Sequence, residues 1–161
     1  MDEAVTLTIP ERRYGMPADL LTEAVLTETD EESARDAALR AAYRRGETLG
    51  TAERERVRPG RLGAERGLSV AAGTLEKFGY EPERTAPTLM RLRNCPFHPM
   101  AAKAPEPICA VNRAFLAGYL HGLGSDRTTA VLAPRPGSCC VELRGDGTTG
   151  DGPERGGACE R

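Results

Sequence analysis

Val5, Leu7 and Ile9 alternate with Thr6 and Thr8, a period of two that predicts a half-buried strand over 4–9, ended by Pro10. The period then lengthens. Pro17 suits a first helical turn, and Leu20, Leu21, Ala24 and Val25 recur at helical spacing after it. Thr29-Asp30-Glu31-Glu32 has the form of a capping box and predicts the opening of a second helix, with Ala34, Ala38, Ala41 and Leu49 on one stripe. Gly46 and Gly50 weaken that helix on propensity alone, and Arg58-Pro59-Gly60 stops it. A third helix carries Leu68, Ala71, Ala72, Leu75 and Phe78, with Gly79 as its cap.

Residues 80–87, which include Pro82 and Pro87, read as a connector, and 88–93 as a strand. The strongest helical pattern in the chain is 107–123, where Ile108, Val111, Asn112, Phe115, Tyr119 and Leu123 share a face and Gly122 and Gly124 end it. Thr128 to Ala133 and Cys139 to Leu143 then read as two strands of a hairpin around Pro134-Arg135-Pro136-Gly137-Ser138. Past Arg144 the chain is Gly, Asp, Thr, Glu and Arg with almost nothing apolar to bury, which predicts a disordered tail over 145–161. The pattern predicts an α+β fold, a small sheet with several packed helices in a single domain over 1–144.

Charge narrows the partners. Lys plus Arg number 22 against 24 for Asp plus Glu, a net charge of -2, so no global positive field draws in a phosphate backbone. Nine arginines against five acids between 35 and 66 read as the solvated face of a helix. The first thirty residues show no basic start followed by an apolar run, and no apolar stretch approaches bilayer length. The expectation is a cytoplasmic protein with no membrane partner. In a reducing compartment five cysteines read as metal-binding or redox-active rather than as a disulfide framework.

Four of those cysteines fall at three stations: Cys95 beside Pro96-Phe97-His98, then Cys109, then the adjacent pair Cys139 and Cys140. Thiolate and imidazole select soft metals and iron–sulfur clusters, so Cys95, Cys109, Cys139 and Cys140 are the candidate ligands, with His98 a weaker one. The predicted elements bring the stations together. The strand 88–93 delivers Cys95 to one end, and a helix of about 24 Å starting near Cys109 leads away from it. A strand of about 20 Å returns, and the turn places Cys139 and Cys140 back at the start. A helix N-terminus favours the thiolate of Cys109. Strand alternation points Cys139 inward with Val141 and Leu143, and Cys140 outward unless a turn or bulge intervenes.

Other motifs carry nothing. Gly145-Asp146-Gly147-Thr148-Thr149-Gly150 fits a dinucleotide fingerprint but no helix and strand can follow it. Nucleophile elbow, zinc-protease and P-loop signatures are missing, neither His98 nor His121 has a triad setting, and Cys159 reads as a surface thiol of the tail. A catalytic site is not expected. A vicinal Cys139-Cys140 thiol-redox enzyme ranks low, because a disulfide between neighbours is strained.

At Leu92-Arg93-Asn94-Cys95-Pro96-Phe97-His98, Ile108-Cys109-Ala110-Val111-Asn112 and Pro134-Arg135-Pro136-Gly137-Ser138-Cys139-Cys140-Val141, the chain resembles the C-terminal effector half of ArsR-type winged-helix transcriptional regulators. Within that group it is similar to the iron–sulfur repressors of the Suf cluster-assembly operon. The resemblance spans roughly 4–144 and includes Ile9-Pro10-Glu11-Arg12-Arg13-Tyr14. It implies an iron–sulfur cluster on Cys95, Cys109 and one of Cys139 or Cys140, whose presence controls DNA binding. Zinc is the alternative centre, in a structural role without switching. It also implies a homodimer, for which the helices within 17–58 are the candidate surface. DNA would be contacted only through a winged helix ahead of residue 4 that this chain does not contain.

Overall fold

The computed structural model describes residues 15–146, so the strand expected at 4–9, most of the expected tail and Cys159 lie outside the described residues. The chain runs α1 (Gly15–Leu26), α2 (Ala34–Val57), α3 (Ala64–Lys77), β1 (Pro82–Ala86), β2 (Leu89–Leu92), α4 (His98–Lys103), α5 (Pro105–Leu123), β3 (Thr128–Leu132) and β4 (Val141–Gly145). The four strands form one antiparallel sheet in the order β1-β2-β4-β3. This is the expected α+β arrangement in one domain.

Helix α5 is the axis. Pro105 and Pro107 occupy its first turn, where no intrahelical N–H is needed, and Gly124 closes it in the left-handed conformation at φ 71°. Phe115, Leu116, Tyr119 and Leu123 are fully buried, and α5 packs along α2 on one side and against β3 on another. The sheet turns Met90 and Leu92 of β2, Ala130 of β3 and Val141 and Leu143 of β4 into the same core. Strand alternation places Arg91, Glu142 and Arg144 on its other face.

Four boundaries depart from the sequence pattern. Ser33, not Thr29, caps α2, its hydroxyl accepting from the Asp36 N–H at 3.1 Å. Thr29 and Glu32 make one arm of the capping box, Thr29 N–H to Glu32 Oε1 at 3.2 Å, one turn too early. The connector after Tyr80 contains β1, an edge strand whose mostly exposed residues show no apolar alternation and whose Pro82 sits at the first position, where its missing N–H is tolerated. The short α4 fills the interval between Cys95 and α5. Finally β4 begins at Val141 rather than Cys139 and includes Gly145, which composition had assigned to the tail.

Candidate cysteine site

Each cysteine station is pinned by backbone bonds. After β2 the Asn94 side-chain amide donates to Gly79 O at 2.8 Å, and the Cys95 carbonyl accepts from the His98 N–H at 3.0 Å. Across the gap, Cys139 N–H donates to Leu92 O at 2.7 Å, extending the pairing of β2 with the chain ahead of β4. Ala133 N–H donates to Cys140 O at 2.8 Å. Cys109 lies in the second turn of α5.

These constraints gather Cys95, Cys109, Cys139 and Cys140 into the hydrophobic core, where none is more than 7% exposed. Cys109 and Cys140 are joined as a disulfide with their Cα atoms 6.1 Å apart, while Cys95 and Cys139 carry thiols. Both members of the adjacent pair therefore face the pocket, contrary to the alternation expected of a strand. The reason is local. Residues 139 and 140 precede β4 and are not bound by its pleat. Because Cys109 is in the disulfide, the thiolate expected from the helix N-terminus does not exist in this state.

Asn112, one turn beyond Cys109, is completely buried. Its Nδ2 donates to Cys139 Sγ at 3.1 Å and to Cys95 Sγ at 3.6 Å, and its Oδ1 accepts from the Tyr80 hydroxyl at 2.6 Å. Both amide donors and the acceptor are thus used, as a buried amide requires. The Cys139 thiol is held below its ordinary range by a hydrogen bond from Cys95, by the Val141 N–H and by Asn112, working against burial. Burial pushes the Tyr80 phenol well above its usual value, and negative charge on Cys95 or Cys139 pushes it further. Tyr80 therefore keeps the proton it donates.

The sequence pattern does not mark Tyr80 or Asn112 as site residues. Tyr80 fell in an apparent connector. Asn112 was visible as the one amide on an otherwise apolar helical face, a position that demands buried partners. His98 is the first residue of α4 and partly buried. Among the described residues no set of three or more His, Cys, Asp and Glu side chains stands arranged for a metal ion. With Cys109 and Cys140 bonded, two thiols are available. Reducing that bond gives four sulfur donors in one apolar pocket, the donor set of soft metals and clusters.

No protein family, curated protein or solved structure matches the chain. None of the helices among the described residues is long and apolar enough to cross a membrane.

Proposed function

We propose that this chain is the effector domain of a transcriptional regulator of the ArsR winged-helix type, similar to the Suf-operon repressors. The observation that carries the reading is the convergence of Cys95, Cys109, Cys139 and Cys140, drawn from three distant segments, into one buried pocket. In the reduced protein Cys95, Cys109, Cys139 and Cys140 would hold an iron–sulfur cluster, with His98 nearest in sequence as a further donor. A cluster held by these four cysteines would supply redox-sensitive chemistry where the segment after β2, α5 and the approach to β4 meet. Asn112 orients two of the sulfurs, and the surrounding apolar side chains exclude water. Gain or loss of that centre acts on DNA affinity only if it stabilises one arrangement of the full-length protein over another. A homodimer through the helices within 17–58 belongs to the same reading, and Val25 and Leu26 are large apolar side chains exposed there.

Anaerobic reconstitution of the reduced chain with ferrous iron and sulfide tests the proposal. Bound iron and sulfide with visible charge-transfer absorption, lost in Cys95→Ser and Cys109→Ser, are the expected result. A colourless, iron-free protein indifferent to both substitutions overturns it. A second reading, a structural zinc or thiol domain without switching, is favoured by the deep burial of the Cys109–Cys140 bond. Zinc content with no redox-dependent change in DNA shift, measured with a winged helix supplied upstream, selects it. That burial also weighs against a small thiol-redox enzyme, whose thiols must meet a protein substrate.

A further inference from the structure

The pocket treats its four cysteines unequally. Cys109 and Cys140 are bonded, while Cys95 and Cys139 share the Asn112 amide. Five pairings would compete with the observed one, and chemistry ranks them. Cys139 and Cys140 are chain neighbours, so their Cα atoms are about 3.8 Å apart, below the span of a relaxed disulfide. Cys109 and Cys140, at 6.1 Å, lie inside that span. Linking Cys95 to Cys139, either of them to Cys109, or Cys95 to Cys140 converts sulfurs that accept hydrogen bonds well into disulfide sulfurs that accept them poorly. The Asn112 donors would then be stranded in a site with no exposed surface. Tyr80 makes this discrimination firm, because its hydroxyl fixes Oδ1 and so aims Nδ2 at the sulfurs.

We infer that Asn112, braced by Tyr80, is a positioning residue that sorts the four cysteines into an oxidisable pair, Cys109 and Cys140, and a retained thiol pair, Cys95 and Cys139. The chemistry is a two-electron step with a hydroperoxide as oxidant. The sulfur of Cys109, the residue of the four with the largest exposure at 7%, attacks the peroxide oxygen and becomes a sulfenic acid as the O–O bond breaks and an alcohol or water leaves. The Cys140 sulfur then attacks that sulfur, forming the S–S bond and expelling water, so two thiols and one hydroperoxide give one disulfide, one alcohol and one water. A dithiol reverses it by exchange and is itself oxidised. The regulatory meaning rests on the effector reading above: oxidation withdraws half of the sulfur donors and leaves the other half in place. The sorting itself does not depend on any bound centre.

The test uses the full chain, reduced and stripped of metal with a chelator, then treated with hydrogen peroxide, alkylated and digested with trypsin. The expected product links peptide 104–113 to peptide 128–144 through Cys140, assigned by fragmentation, while peptide 94–103 is recovered alkylated at Cys95. A dithiol should return every peptide to the alkylated form. In Asn112→Leu, disulfides that include Cys95 or Cys139 should rise about five- to thirtyfold relative to wild type, the weight of one buried hydrogen-bond group. Tyr80→Phe should move the same ratio less, and Asn112→Gln, which keeps the donors, should restore it in part. Circular dichroism confirms folding, and if Asn112→Leu fails to fold, Tyr80→Phe decides. Wild-type linkage between Cys95 and Cys139, or connectivity unchanged in the folded variants, overturns the inference. Iron uptake measured in parallel separates the two ideas. Iron binding with unsorted disulfides defeats only the sorting, and sorted disulfides without iron defeat only the cluster.

Discussion

Gly46 of α2 and Phe115 of α5 meet backbone against backbone. A Cβ on Gly46 would run into the Phe115 carbonyl and lie 2.8 Å from Tyr119 N, and a Cβ on Gly118 would lie 2.8 Å from the Tyr43 carbonyl carbon. Gly50 and Gly122 repeat the arrangement one turn along. The two helices interlock through glycines on both sides, which sets α5, and with it Cys109 and Asn112, at a fixed depth beneath α2.

Gly46→Ala and Gly118→Ala should therefore destabilise the fold. Each gains about 1 kcal/mol of helix propensity, yet the obstacle is backbone that cannot rotate away, and overpacking costs about 1–3 kcal/mol or more. Gly73→Ala is the control, since its Cβ in α3 would meet open space and should stabilise by about 0.5–1 kcal/mol. Urea midpoints read all three. A midpoint that rises for Gly46→Ala as it does for Gly73→Ala means the helices do not touch there.

Propensity had marked Gly46 and Gly50 as weak points, because it is a property of one helix, whereas close approach depends on a partner about 70 residues away. The helix 107–123 was legible because its apolar period runs unbroken. Strand β1 was not, since an edge strand that buries little has little pattern to show. The convergence of the three cysteine stations followed from element lengths and directions alone. The inward turn of Cys140 did not, because the strand starts two residues later than its apolar run suggests. The Asn112 and Tyr80 pair depends on contacts among four segments, which no local pattern encodes.

Alkaline pH should unfold the protein through its tyrosines. Burial raises the Tyr119 phenol from its ordinary 10.0 to about 12, and Tyr80 is also raised well above the ordinary value. A folded-state value above the unfolded one means the fold favours the neutral phenol. This contribution is complete below about pH 10 and is lost as pH climbs from 10 toward 12. Phenolate absorbance followed beside circular dichroism should show Tyr80 and Tyr119 ionising together with the loss of structure. Their ionisation near pH 10 with the fold intact would contradict their burial.

Glu142 anchors the outer face of the sheet. Its side chain, 4% exposed, accepts from Arg144 Nε at 2.6 Å and has Arg91 Nε at 3.9 Å and Arg135 Nε at 4.0 Å. One carboxylate thus offsets three guanidiniums. Glu142→Gln should cost about 1–3 kcal/mol, below the range for a fully buried pair because the arginines are a fifth to a third exposed. Arg91→Met should cost less, about 0–1 kcal/mol, since two cations remain beside the carboxylate. Thermal unfolding at low and high salt checks the order. Equal losses in the two variants would mean that the carboxylate is not the shared centre of the cluster.

The Cys109–Cys140 bond closes a loop of 31 residues that contains most of α5, β3 and the turn before β4. Restricting an unfolded loop of that length stabilises the fold by about 3–4 kcal/mol. In metal-free protein a dithiol should therefore lower the unfolding free energy extrapolated from urea by that amount, and Cys109→Ala should sit near the reduced wild type and show no further response to the dithiol. Cys95→Ala should keep the full response, because Cys95 is outside the bond. The opposite pattern, with dithiol sensitivity lost in Cys95→Ala and kept in Cys109→Ala, would assign the bond to the wrong pair. If the reduced chain binds a centre, saturating it should recover stability without an oxidant, because a ligand held only by the folded state constrains the same segments.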